Sequence, residues 1–114
     1  MKASAPLDME LVGELRDIMA EGFTALIASY ERDSGQRLGA MQQALFSDDR
    51  GSLRQLAHSL KGSSSNLGAL EVTELCIALE RGVADASKAE LGTLLDSLSE
   101  AHARAVTALY ALVV

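Results

Sequence analysis

The chain has 114 residues, 48% of them hydrophobic and 23% charged, which suits one compact domain spanning 1–114 and argues against a disordered segment. A net charge of −6 with no basic run speaks against a nucleic-acid partner, because such a partner requires a cationic face that displaces counterions. No apolar run approaches the ~20 residues of a membrane span and no leader pattern opens the chain, so a cytoplasmic protein without a membrane partner is expected.

Aromatic residues make up only 4% and Trp is absent. The core must therefore come from Leu, Ala, Val, Ile and Met, whose apolar positions recur at helical rather than strand spacing. Pro6 stands where it can start a first short helix, expected over Leu7 to Ala20, with Leu11, Leu15 and Ile18 on its buried stripe. A longer helix follows from Phe23 to Phe46, with Phe23, Leu26, Ile27, Tyr30, Ser34, Leu38, Met41 and Leu45 facing inward. The segment "SDDRG" interrupts the pattern, and Asp48 or Asp49 can cap a third helix over Arg50 to Leu67. Gly68 suits the left-handed residue that ends it.

A fourth helix is expected over Leu70 to Val83, built on Val72, Leu75, Cys76, Leu79 and Val83. The lone Cys76, flanked by apolar residues, reads as a small buried hydrophobe. Ser87-Lys88-Ala89-Glu90 is a capping box that opens a fifth helix, buried through Leu91, Leu94, Leu95, Leu98, Ala105, Leu109 and Leu112. Connections this short make neighbouring helices antiparallel. The expected fold is all-α: an up-down antiparallel four-helix bundle with an additional short N-terminal helix.

The two histidines separate by helical arithmetic. At about 100° per residue, Leu53, Leu56, Leu60 and Leu67 fall within roughly a 60° arc, and His58 points almost directly away from it. His102 lies inside the apolar stripe of the fifth helix, one turn from Leu98, and reads as a packed structural residue. On the His58 face stand Arg54 and Gln55 one turn earlier, Lys61 and Gly62 one turn later, and Ser65 beyond. Glycine within a helix costs about 1 kcal/mol relative to alanine, so Gly62 beside an exposed imidazole implies that something large approaches it. An exposed neutral imidazole is a nucleophile, and a phosphoryl group arriving on it would bring about two negative charges that Lys61 could offset.

The string "AHSLKGSSSNLGA", residues 57 to 69, followed by "LCIALE", residues 75 to 80, resembles the histidine-containing phosphotransfer (HPt) domains. The resemblance implies a four-helix bundle whose exposed histidine relays phosphoryl groups between receiver aspartates of response regulators, or from a hybrid sensor histidine kinase. It sets His58 on the phosphoacceptor, Lys61 on the charge-balancing lysine and Gly62 on the small residue that gives access. Glu80 falls on a polar position that often hydrogen-bonds the imidazole and is commonly glutamine. The residues themselves leave two roles open for Glu80, orienting the ring from across the hairpin or facing water, and a carboxylate there would also repel an incoming phosphate.

Such a domain carries phosphoryl groups without being a kinase, and the chain offers no acidic cluster on the His58 face. The resemblance implies no cofactor or metal of its own, with Mg²⁺ held in the partner's acidic pocket. Docking is expected around His58, through Arg54, Gln55 and Ser65, and through Met9, Val12 and Met19, which lie off the main stripe of the first helix. A free-standing protein is expected, with no kinase segment attached. Two other classes compete. A non-catalytic helical adaptor would leave the His58, Lys61 and Gly62 spacing as accident. A carboxylate-bridged metal bundle needs Glu three residues before its histidines, where this chain has Gln55 and Ser99.

Overall fold

The computed structural model describes residues 5–113, and these are all-helical, with five helices and no strand. Helix α1 spans Met9–Met19, α2 Gly22–Phe46, α3 Arg50–Leu67, α4 Leu70–Gly82 and α5 Lys88–Ala111. Residues 1–4 and 114, the two ends of the expected domain, lie outside the described residues.

Local chemistry sets the helix boundaries. The Asp8 carboxylate accepts from Leu11 N–H at 3.2 Å and starts α1. Asp49 rather than Asp48 caps α3, accepting from Ser52 N–H at 3.0 Å and from the Ser52 hydroxyl at 2.7 Å. Its carboxyl is held below the ordinary range by those two bonds. Ser87 and Glu90 form the reciprocal capping box that opens α5. Gly68 ends α3 at φ 79°, and the following Ala69 N–H returns to Ser64 C=O at 2.9 Å, closing the last turn.

Packing builds a closed ring. α2 lies against α3 and α5, and α4 lies against the same two helices, whereas α1 touches only α2 and α3. Phe23, Ile27 and Met41 of α2, Leu53 and Leu60 of α3, Leu79 of α4, and Leu91, Leu98 and Leu109 of α5 are essentially inaccessible and fill the centre. Removing this much apolar surface from water is the main favourable term of the fold. At one end Arg50 clamps the α4–α5 turn, with Nη1 donating to the carbonyls of Val83 and Ala86, each at 2.7 Å.

α1 departs from the expected face. Ile18, expected in the core, is 79% exposed, and Val12, expected on a docking surface, is completely buried. The reason lies at Gly68. An added Cβ there would meet Val12 Cγ2 at 3.0 Å, and Asp8 N–H donates to Gly68 C=O at 2.8 Å. α1 is thus seated against α2 and the end of α3. Its inward stripe is Leu11, Val12 and Leu15, which rotates Ile18 outward.

Between α2 and α5 the core is polar. The Ser34 hydroxyl, fully buried, donates to Tyr30 C=O and lies 2.5 Å from His102 Nε2. A hydroxyl has one proton, so the ring nitrogen is the donor and His102 is the neutral Nε2–H tautomer. Tyr30 meets the Ser64 hydroxyl at 2.7 Å, and burial pushes its phenol up to about 12. His102 is structural, as its place in the stripe suggests.

Two outcomes test this packing. Gly68→Ala strains a left-handed residue and crowds Val12, and should lower unfolding stability by about 1–2 kcal/mol in urea titration; an unchanged midpoint would refute the seat assigned to α1. Burial holds the His102 pKa below its ordinary value. The unfolded chain therefore binds that proton first. The stabilising contribution is full above the unfolded pKa of about 6.5 and is lost as pH falls through the folded value. Stability measured from pH 7.5 down to 5 should decline in the native protein and decline less in His102→Gln.

Candidate functional site

The site is made by the α3–α4 hairpin. Leu53, Ala57 and Leu60 bury one face of α3, which leaves His58 on the opposite face with 68% of its side chain exposed. Its Nδ1 lies 3.1 Å from Glu80 Oε2 on α4. The other carboxylate oxygen, Oε1, lies 2.7 Å from Lys61 Nζ. Glu80 is only 18% exposed. The hydrogen bond from Lys61 keeps its carboxyl below the usual range, burial opposes this, and the His58 bond lowers it further. An ionised carboxylate only accepts, so His58 Nδ1 carries a proton, and in the neutral ring the Nε2 lone pair faces solvent. Of the two roles left open by the sequence, Glu80 therefore contacts the ring.

Around the imidazole lies an open notch of about 470 Å³, lined by Gly51, Arg54, Gln55, His58 and Glu80. Arg54, Gln55 and Ser65 are exposed, as their spacing implied, although Ser65 lies outside this notch. Gly62 is exposed, and a Cβ added to it would meet nothing within 4 Å. Gly35 and Gly39 are equally open, so openness alone marks no site. What distinguishes Gly62 is its place one turn from His58.

The three consecutive serines divide their work. Ser63 bonds back to Leu60 C=O, Ser64 is buried against Tyr30, and Ser65 faces outward. Sequence reasoning passed over Arg37 and Gly51. Arg37 reaches from α2 to Ser59, the residue after His58, with Nε 2.9 Å from the hydroxyl. No local pattern signals that contact across the helices. Gly51 stands seven residues before His58, two helical turns along the same face, and that spacing was the available signal.

The N-terminal residues expected at a docking surface part company here. Val12 is buried, which takes it off the expected docking surface. Met9 and Met19 are exposed, and Met19 borders a second, more apolar groove with Leu15, Leu26 and Leu67. Cys76 is buried one turn before Glu80, and burial pushes its thiol up to about 12. Among the described residues no three His, Cys, Asp or Glu side chains converge on a metal-sized site.

The sequence profile of the Hpt domain family matches residues 25–108. The chain belongs to the Hpt domain family. Its function is therefore histidine phosphotransfer in a two-component phosphorelay, in which Hpt proteins exchange phosphoryl groups with receiver domains and kinases. A solved structure similar to it is histidine-containing phosphotransfer protein B from Pseudomonas aeruginosa, with a TM-score of 0.87 and 27% sequence identity. That match covers 95% of this chain and 94% of the other. No match was found among curated protein sequences. This Hpt chain presents its notch on the α3–α4 face, within the segment matched by the family profile.

The open surroundings of Gly62 generate an expectation separate from chemistry. Gly62→Ala should raise the stability of the isolated protein by roughly 0.5–1 kcal/mol, through helix propensity alone. A loss of stability in urea titration would mean that the glycine serves the fold rather than access.

Proposed function

We propose that His58 is the phosphoacceptor, and the observation that carries this reading is the exposed ring whose Nδ1–H is held by Glu80. The neutral Nε2 attacks the phosphorus of an aspartyl phosphate on a receiver domain. The phosphorus–oxygen bond breaks as the nitrogen–phosphorus bond forms, the aspartate leaves with the electron pair, and the Nδ1 proton stays in its bond to Glu80. The same steps in reverse pass the group to a second receiver.

In this scheme Glu80 orients the imidazole, Lys61 balances charge in the site, and Gly62 leaves room for the incoming phosphoryl donor. Arg54, Gln55 and Ser65 contribute to docking, and the exposed Met9 and Met19 extend that surface onto α1. Mg²⁺ is held by the acidic pocket of the receiver, where it neutralises charge on the phosphoryl group in transfer. The partners are response-regulator receiver domains and a hybrid sensor histidine kinase, with neither nucleic acid nor membrane engaged.

We infer further that α2 to α5 form an up-down antiparallel four-helix bundle, with α1 as an additional short helix within one domain. The closed ring of packing and the short connections support this arrangement. A cytoplasmic location fits the reading, and among the described residues no helix is long and apolar enough to cross a membrane.

The decisive experiment incubates the protein with Mg²⁺ and a phosphorylated receiver, then follows intact mass and phosphorus NMR. The native protein should gain one phosphate that is acid-labile and alkali-stable, and His58→Gln should gain none. Equal labelling of His58→Gln, or no labelling of the native protein across a panel of receivers, would remove His58 as acceptor and favour an adaptor role.

A further inference from the structure

Helix α3 carries Arg50, Arg54 and Lys61 and no acidic residue, in a chain whose net charge is −6. Two of these cations are already engaged. Arg50 donates to the carbonyls of Val83 and Ala86, and the Lys61 ammonium lies 2.7 Å from Glu80 Oε1. Arg54 is exposed, and among the described residues it makes no ion pair and no side-chain hydrogen bond.

The open notch of about 470 Å³ beside the imidazole is lined by Gly51, Arg54, Gln55, His58 and Glu80, and neither Lys61 nor Gly62 lines it. The space therefore extends from His58 toward the start of α3. Helix geometry gives the reason. Each Cα–Cβ bond tilts toward the N-terminus of its helix, so the His58 ring leans over the turn that carries Arg54 and away from the turn that carries Lys61. Gly51, a further turn along, has no side chain to close the far end.

We propose, resting on His58 as the phosphoacceptor, that Arg54 is a second catalytic residue: the phosphoryl group on Nε2 lies in the Gly51–Arg54–Gln55 notch, and the Arg54 guanidinium holds its oxygens. In transfer, Nε2 forms its bond to phosphorus while the bond to the aspartyl oxygen breaks, and the aspartate keeps the electron pair. Away from the receiver and its Mg²⁺, the phosphoryl group then holds nearly two negative charges on a ring whose other nitrogen lies 3.1 Å from the Glu80 carboxylate. A guanidinium is planar, permanently charged and offers parallel N–H donors that match two phosphoryl oxygens. Residues four apart on a helix face stand about 5–6 Å from each other at Cβ, a span that an arginine side chain covers. Exposure keeps the pairing weak, so the group is held without being trapped, as a relay requires.

Phosphoramidate, a small donor that passes its phosphoryl group to an imidazole nitrogen and releases ammonia, separates this role from docking. The native protein, Arg54→Met, Arg54→Lys and His58→Gln are each treated with phosphoramidate and, separately, with a phosphorylated receiver and Mg²⁺. Arg54→Gln replaces the first variant should it fail to fold. Phosphorus NMR from about pH 9 down to about pH 5.5 then reads the second ionisation of the phosphoryl group in the isolated phosphoproteins. A neighbouring cation favours the dianion. That ionisation should therefore lie about half a pH unit higher in Arg54→Met than in the native protein, and Arg54→Lys should restore it. Labelling by phosphoramidate should slow by about two- to fivefold in Arg54→Met, the worth of an exposed ion pair. An ionisation unchanged in Arg54→Met overturns the proposal, as does slowing confined to the receiver, which marks a residue that only docks. In both of those outcomes the label still depends on His58. Labelling of His58→Gln equal to that of the native protein instead removes the acceptor itself, and the role of Arg54 falls with it.

Discussion

The left-handed turn at Gly68 is the constraint on which the rest of the molecule depends. It ends α3, reverses the chain into α4, and gives α1 its seat through the carbonyl that receives Asp8 N–H. It also sets the register of the site. His58 lies nine residues before the end of α3 and Glu80 ten residues after the start of α4, so both stand about 14–15 Å from the turn at 1.5 Å per residue. Two side chains at equal depth on adjoining helices meet, and Lys61, one turn nearer the turn, reaches the same carboxylate from the other side. A change in the length of either arm would break this coincidence without altering any residue of the site.

Polar chemistry is divided between two places that do not mix. Glu80 lies at the seam of α3 and α4, where partial burial strengthens its pairings and open solvent still reaches His58. The Tyr30, Ser34, Ser64 and His102 cluster lies on the inward side and stays uncharged, because its phenol is pushed up and its imidazole down. The two histidines consequently hold opposite tautomers, each dictated by the acceptor or donor beside it. A buried neutral network bonds α2 to α3 and to α5, and its directional contacts restrict how those helices settle against one another.

Much of this was legible in sequence because it is local. The ends of α3, the cap at Gly68, the capping box of Ser87 and Glu90 and the outward direction of His58 all follow from residues within a few positions of each other. α1 was misread because a helix of 11 residues offers only a short stripe for periodicity to detect. Val12 and Ile18 exchanged places for that reason. The contact of Glu80 with His58 lay within reach of the hairpin argument, which left it beside an alternative. The commitment of Lys61 to the same carboxylate depends on the depth of both helices and had no local signal. Ser34 was visible as an oddity in an apolar stripe, yet its partner lies 68 residues away.

Cys76 has a consequence of a different kind. The thiol is enclosed on the inner side of α4, one turn from Glu80, and its ionisation is pushed to about 12. A thiol in that condition is inert to alkylating reagents while the helix stays closed. Its rate of modification therefore counts how often α4 lifts away from the body, and the ratio to the rate of an exposed thiol gives the free energy of that opening. The helix that carries Glu80 thus holds a native gauge of its own breathing, readable without a substitution.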